Sequence, residues 1–390
     1  MTFTPYRTLL ETGRASAGSL KQILCSWCRG MKIIASLVAL ILTSAGADTP
    51  DEIMEKELKL IDGQGPSLIL SAISLQPHLP FTYNPAIVQA SEGGRVILCF
   101  RGQRWKDINN YFVYGTIADL NTSVPQKYSA LHHVEDIRML PSRVNKSDVY
   151  LVYTQVTLAA SNGKTYGHMG MATMRTSNEG VADADRIRDV LHLNWSTQHA
   201  HGVASQIIEK NWSPFHDRSG QLHFVYCLRP LTVLNISRID MPLHEATLSL
   251  VSMERCPGLS QWRYGSPRGG TPWQEVGGVL LSFFHSRCKL QGSSVGTYWM
   301  GAITMTPEAP FRLLSMSSHP ILIEEWYKGS WSGFGPVDYI VYPMGFFVEG
   351  NGTLLTLSLG RNDNEGLVVQ INTEMLLRTL VPLTCNQTQV

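Results

Sequence analysis

Five short apolar runs set the limits on what this chain can fold into: Arg95–Phe100, Val149–Gln155, Leu222–Cys227, Val279–Phe284 and Leu354–Leu359. Each is rich in Val, Leu, Phe, Tyr or Ile and is bounded by Gly, Asn, Asp, Ser or Pro. Such residues suit a pleated surface, and such boundaries end it abruptly. The runs recur about every 50 to 75 residues, the scale of a four-stranded propeller blade with long loops. Weaker strand candidates lie between them at His168–Met174, Tyr298–Ile303, Tyr339–Tyr342 and Gly366–Ile371. Helical periodicity is found only over Asp51–Ile61, where a short helix is expected. The chain is therefore read as all-β, although spacing alone also fits a sandwich or two smaller β-domains. No linker or charge run interrupts residues 80–390, so they are read as one domain, preceded by an extension over 48–79.

The N-terminus carries an address. Met31-Lys32 precedes an apolar run, Ile33 to Leu42, and then Thr43-Ser44-Ala45-Gly46-Ala47. A basic start, a short apolar stretch and a small-x-small site make residues 1–47 a signal peptide or signal-anchor region. The run falls short of the roughly 20 apolar residues of a spanning helix, so membrane attachment is expected only through this segment. The address implies the secretory pathway, extracellular or in the Golgi lumen. Sequons at Asn121, Asn145, Asn194, Asn235, Asn351 and Asn386 agree with it.

Several function classes are disfavoured. A net charge of +1 without a basic stripe gives no pull toward nucleic acid. Five of the seven cysteines follow the signal-like segment and contain no CxxC pair, so one or two disulfides are expected rather than a metal site. Cys99 and Cys227 lie in strand-like runs and read as small core residues. His199 and His201, and His132-His133, lack an evident third ligand, and no metal is expected. Neither a Gly-rich nucleotide loop nor a GxSxG elbow is present.

Chemistry-bearing residues appear in an ordered series. Tyr83-Asn84-Pro85-Ala86 leads into a run ending at Arg101, and Glu135-Asp136-Ile137-Arg138 follows. Next come Glu209-Lys210-Asn211-Trp212-Ser213-Pro214-Phe215 and a strand closing on Arg229-Pro230. Arg268-Gly269-Gly270-Thr271-Pro272 precedes His285 and Tyr298-Trp299-Met300-Gly301. The series ends with Val341-Tyr342-Pro343-Met344-Gly345 and Arg361-Asn362-Asp363. In order and spacing these segments resemble glycoside hydrolase family 130, the β-mannoside phosphorylases and related β-mannosidases. The resemblance spans roughly residues 80 to 372 and implies a five-bladed β-propeller.

Inverting hydrolysis of a glycoside needs an acid and a base that activates water. Phosphorolysis needs the acid alone, together with cations and donors that hold phosphate. The resemblance makes Asp136 the catalytic acid, acting through a sugar hydroxyl. It makes Asn84, Arg101, Glu135, Arg138 and Asp363 substrate-binding residues, with Asp363 the best second carboxylate. Lys210, Arg229, Arg268, His285 and Tyr298 become the phosphate-binding group. Each has a plainer reading beside it: a surface ion pair for Asp136 and Arg138, solvated charge for Lys210 and Arg229, a core histidine for His285. Trp212, Trp273 and Trp299 offer faces for sugar stacking, although packing within sheets is the commoner use of tryptophan.

Three departures separate the chain from the family pattern. Ile137 replaces the proline after Glu-Asp, the lysine-containing glycine loop has become Pro267-Arg268-Gly269-Gly270-Thr271-Pro272, and Arg361-Asn362 replaces two alanines. The expected activity is inverting phosphorolysis of a β-mannoside, or mannosyl transfer, on a mannan-type glycan. No cofactor is implied, and inorganic phosphate is the co-substrate. Hydrolysis, or glycan binding without turnover, are the alternatives.

Overall fold

The computed structural model describes residues 69–75, 82–90, 94–104, 107–120, 126–128, 131, 133–158, 165–176, 187–195, 210–288, 296–321, 326, 340–363 and 365–385. All belong to the compact unit Glu57–Val390, and they are nearly all β. The signal-like segment, the helix expected over Asp51–Ile61, and His132, His199 and His201 lie outside the described residues.

Antiparallel meanders make up the architecture. After β1 (Ile69–Leu75), the strands β2 (Thr82–Gln89), β3 (Val96–Arg104), β4 (Asp107–Gly115) and β5 (Gln126–Tyr128) pair in chain order. A second meander follows in β6 (Val134–Pro141), β7 (Asp148–Leu158), β8 (Thr165–Arg175) and β9 (Ile187–Asn194). A third comprises β10 (Ser213–His216), β11 (Leu222–Leu228), β12 (Leu231–Asp240) and β13 (Glu245–Glu254). A short parallel pairing of β9 with β13 joins these two into one eight-stranded sheet. Further along, β14 (Ser266–Arg268) and β15 (Gln274–Val276) both pair β16 (Val279–Cys288), which continues into β17 (Thr297–Met305) and β18 (Leu313–Ser317). The final group is β19 (Val341–Val348), β20 (Leu354–Arg361) and β21 (Glu365–Asn372).

Segments from the two ends of the sequence complete two of these sheets. β1 pairs β21, so the expected boundary at residue 80 falls between two strands of the fold. Helix α1 (Thr373–Thr379) is capped by Asn372, whose side chain accepts from the Met375 amide at 2.9 Å. It delivers β22 (Leu380–Pro382) to the edge of β18. A Cys256–Cys385 disulfide then ties the chain after β22 to the segment after β13, while Cys99 is a buried free thiol, as its strand-like context predicted.

The five strongest sequence runs fall in β3, β7, β11, β16 and β20. They are continuous rather than alternating because these strands are covered on both faces. In β3, Ile97 and Cys99 enter one core with Phe112, Met139 and Leu151. Their neighbours Val96, Leu98 and Phe100 enter another with Ile87, Val113 and Phe347. Successive side chains of a strand point to opposite faces, so one strand serves two cores. Trp212, Trp273 and Trp299 are all buried, in line with the packing reading.

Candidate functional site

Regular pairing fails on three of the strands that open a meander, β2, β6 and β19, and the predicted residues Asn84, Glu135, Asp136 and Arg138 lie at two of these breaks. Register shifts fall between Tyr83 and Ala86 in β2, between Glu135 and Arg138 in β6, and between Pro343 and Gly345 in β19. Such bulges bend a strand and re-aim its side chains. Left-handed backbone accompanies them at Asn84 (φ 51°) and Asp136 (φ 54°), and recurs at Asn211 (φ 67°) before β10 and at Asp363 (φ 49°) after β20. Asn and Asp accept this conformation better than other side-chain-bearing residues, at a cost of order 1–2 kcal/mol each.

Asp136 is the hub. Asn84 donates through Nδ2 to its Oδ1 at 3.3 Å, and the Tyr342 hydroxyl lies 3.3 Å from its Oδ2. Arg101 bonds Glu135 at 2.8 Å and stands 3.8 Å from Asp136. The Asp136 side chain keeps 13% of its surface and Glu135 27%, so both remain reachable from solvent. Gly360 permits this closeness: a Cβ there would overlap the Asn84 Oδ1.

Arg138 behaves differently from the expectation that it binds substrate. It is wholly buried. Its guanidinium donates to the carbonyls of Gly270 and Asp136, to Asn211 Oδ1 at 3.3 Å and to the Tyr342 hydroxyl at 3.3 Å. With these donors directed at protein acceptors, Arg138 ties β6 to β19, to Asn211 ahead of β10 and to the loop at Gly270. Glycines at 269 and 270 let this loop approach its neighbours, since a Cβ at Gly269 would overlap the Asn211 carbonyl and one at Gly270 the Phe283 carbonyl.

Electrostatics sort the remaining groups. Burial raises the Glu135 carboxyl, with Arg101 and Lys210 opposing and Asp136 and Asp363 reinforcing. Asp363 sits exposed on the turn after β20. Burial raises its carboxyl too, against Arg101 and Lys210. Burial also raises the Tyr342 hydroxyl, which therefore stays a proton donor at neutral pH. His285 is pushed well down by burial and by the charges of Arg138, Arg268 and Lys210. It is a neutral ring, 4.5 Å from the Tyr342 ring and 5.8 Å from that of Tyr298.

The expected phosphate group is thus brought together only in part. Tyr298 is half-buried beside His285 and feels Asp363, Arg268 and Asp136. Lys210 and Arg268 are exposed, with charges that reach His285. Arg229 stays apart: it is exposed at the β11–β12 turn, where its main chain bonds the Cys227 sulfur. No contact among the described residues joins its side chain to Asp136, His285 or Tyr298. Two members of the site, Asn211 and Tyr342, were not singled out from the sequence. They are joined to each other at 2.7 Å across 131 positions, and both lie inside segments of the ordered series, Asn211 beside Lys210 and Tyr342 before Pro343. Among the described residues no group of His, Cys, Asp and Glu is arranged to hold a metal ion.

Fold and site together define a nearly all-β chain with a carboxylate–arginine cluster where the first strands meet. The sequence matches no protein-family model and no curated protein. Solved structures do match. A candidate glycoside hydrolase from Bacteroides ovatus superposes with a TM-score of 0.52 at 13% identity, over 80% of this chain and 98% of that one. A β-1,2-mannobiose phosphorylase from Listeria innocua follows at 0.46 and 13% identity, over 79% and 92%. A mannose phosphorylase from Leishmania mexicana gives 0.47 and 10%, over 86% and 98%. At such identities the likeness to the Bacteroides protein is one of fold.

Proposed function

We propose that the chain is a carbohydrate-active enzyme, a five-bladed β-propeller of the glycoside hydrolase family 130 type that cleaves or builds β-mannosides by inverting phosphorolysis or mannosyl transfer. Five consecutive meanders, with β2 packed on β19 and β6 and with β6 packed on β10, support the propeller reading. One observation carries the chemistry: donors from three strands converge on Asp136, with Asn84, Tyr342 and Arg101 around a single carboxyl that solvent still reaches.

In the forward reaction Asp136 gives its proton to the leaving glycosidic oxygen, through a sugar hydroxyl. A phosphate oxygen forms the new bond to the anomeric carbon from the opposite face while the old C–O bond breaks. Products are mannose 1-phosphate and the free acceptor sugar. Lys210, Arg268 and Tyr298 hold the phosphate, with Arg as a planar fork and Lys as a point charge. Asn84, Arg101 and Glu135 hold ring hydroxyls. Arg138 acts through Asn211, Tyr342 and the loop at Gly269 and Gly270 rather than on the sugar. The secretory address, with a mannan-type glycan as partner, favours the synthetic direction.

Hydrolysis is the second reading, and the raised carboxyl of Asp363 favours it as the base that would activate water. Incubation of the full chain with β-mannobiose, with and without phosphate, separates the two. Phosphate-dependent mannose 1-phosphate is the expected product. Mannose released regardless of phosphate establishes hydrolysis, and binding with no turnover establishes a glycan-binding module.

A further inference from the structure

The strands that carry Asp136 and its partners have a second end. Five residues beyond Asn84, Asp136 and Tyr342 lie Gln89, Pro141 and Phe347, about 17 Å away at ~3.3 Å per residue. There the ends of β2, β6, β10, β15 and β19 surround a cavity of about 470 Å³. Its size is that of ordinary small-molecule sites, which span ~300–1,000 Å³. None of the residues assigned above to catalysis or to phosphate lines it.

The lining states what it takes. Arg143 and Glu275 are its charged side chains, and they lie 3.9 Å apart, so they offset one another. Both are partly exposed, with Arg143 also donating to the Asp217 carbonyl at 2.9 Å and Glu275 also paired by Arg218 at 3.3 Å. His216 has one ring nitrogen 3.1 Å from the Gly220 carbonyl and the other 3.1 Å from that of Pro141, and burial lowers its pKa while those two carbonyls oppose the shift. Gln89, Ser142 and Gln274 add neutral polar groups, and Phe347 and Val348 an apolar wall. Trp273 belongs to the same wall. It is 2% exposed, yet its indole N–H has no acceptor among the described residues.

We propose that this cavity is a second binding site, separate from the Asp136 cluster, for one or two rings of a neutral saccharide. Balanced charge disfavours an ion, while interleaved donors and acceptors beside apolar surface match the hydroxyls and C–H faces of a sugar. The inference rests on the cavity and not on the reaction assigned to Asp136.

Trp273 is its own reporter. The full chain is labelled with 5-fluorotryptophan, and Trp273→Phe identifies which of the nine tryptophan signals is the relevant one. Cellobiose and β-mannobiose are titrated, with inorganic phosphate as the ionic probe. The expected result is a saturable shift of the Trp273 fluorine signal by at least one disaccharide. That shift weakens about tenfold in Arg143→Ala, as for the loss of one charge-assisted hydrogen bond, and persists in Asp136→Asn. A signal unmoved by either sugar, moved only by phosphate, or silenced by Asp136→Asn overturns the proposal. Should Trp273→Phe not fold, calorimetry of the parent, Arg143→Ala and Glu275→Ala replaces it. Equal disaccharide affinity in all three then overturns the site. Loss of turnover with this binding retained leaves the inference standing and removes only the reaction.

Discussion

Asp136 owes its aim to a backbone conformation that few side-chain-bearing residues accept, and its neighbours to strands far away in sequence. As the assigned acid it supplies proton transfer, a contribution of typically ~10²–10⁴-fold. Asp136→Asn is therefore expected to lower kcat by at least ~100-fold with the melting temperature little changed, measured on β-mannobiose with phosphate. Turnover within a factor of a few of the parent removes the assignment. The carboxyls of Glu135 and Asp363 lead to a second prediction. Both are raised from ordinary values of 4.5 and 3.8, so the folded chain holds these protons more tightly than the unfolded chain. Their contribution is full below the ordinary values and is lost as pH rises through the raised ones. Stability measured by denaturant from pH 4 upward should fall less in Asp363→Asn than in the parent; identical slopes contradict it. Asp136 could be singled out because its tetrapeptide is local. Tyr342 was not, because it meets Asp136 across 206 positions, a contact that no local pattern encodes.

At the scale of elements, legibility followed burial. β3, β7, β11, β16 and β20 announced themselves as unbroken apolar runs because each is packed on both faces. β6 did not, since Glu135, Asp136 and Arg138 are charged and its pairing is interrupted between Glu135 and Arg138; β10 and β14, four and three residues long, are too short to announce themselves. The glycines next to the site follow from the same geometry. Gly360 lies on β20 with Asn84 pressed against it. Gly360→Ala must push Asn84 away from Asp136 or bend β20, and overpacking of this kind costs ~1–3 kcal/mol. The expected outcome is a lower melting temperature together with a kcat loss larger than that of Gly352→Ala, where a Cβ meets nothing within 4 Å. Gly352 has positive φ and Gly360 does not, so the control carries a backbone strain that Gly360→Ala lacks, and a larger activity loss at Gly360 comes from the contact with Asn84. Equal losses of activity in the two variants would show that Asn84 does not depend on this approach.

For the whole molecule, the recurrence of runs revealed the repeating unit but not how its ends are closed. β1 joins β21 from before the expected boundary, and β22 returns to β18 after α1. Neither short strand carries a distinctive pattern, and their partners are set by three-dimensional proximity. The Cys256–Cys385 bond secures the second closure. It links positions 129 residues apart, and the same tail is held by the Thr384 carbonyl on the Gly258 amide at 3.0 Å and by the Leu383 amide on Leu314 at 2.8 Å. Closing a loop of this length in the unfolded chain is worth about 5 kcal/mol on the chain-entropy account, while measured removals cost ~2–5 kcal/mol. Cys385→Ser is accordingly expected to lose about 2–5 kcal/mol in denaturant unfolding, and the parent under reductant should match it. Among the described residues the disulfide shown is Cys256–Cys385, and it is the bond on which the reductant is expected to act. If the parent proves as stable reduced as oxidised, the tail hydrogen bonds and the β18–β22 pairing close the sheet unaided, and the disulfide is dispensable to the closure.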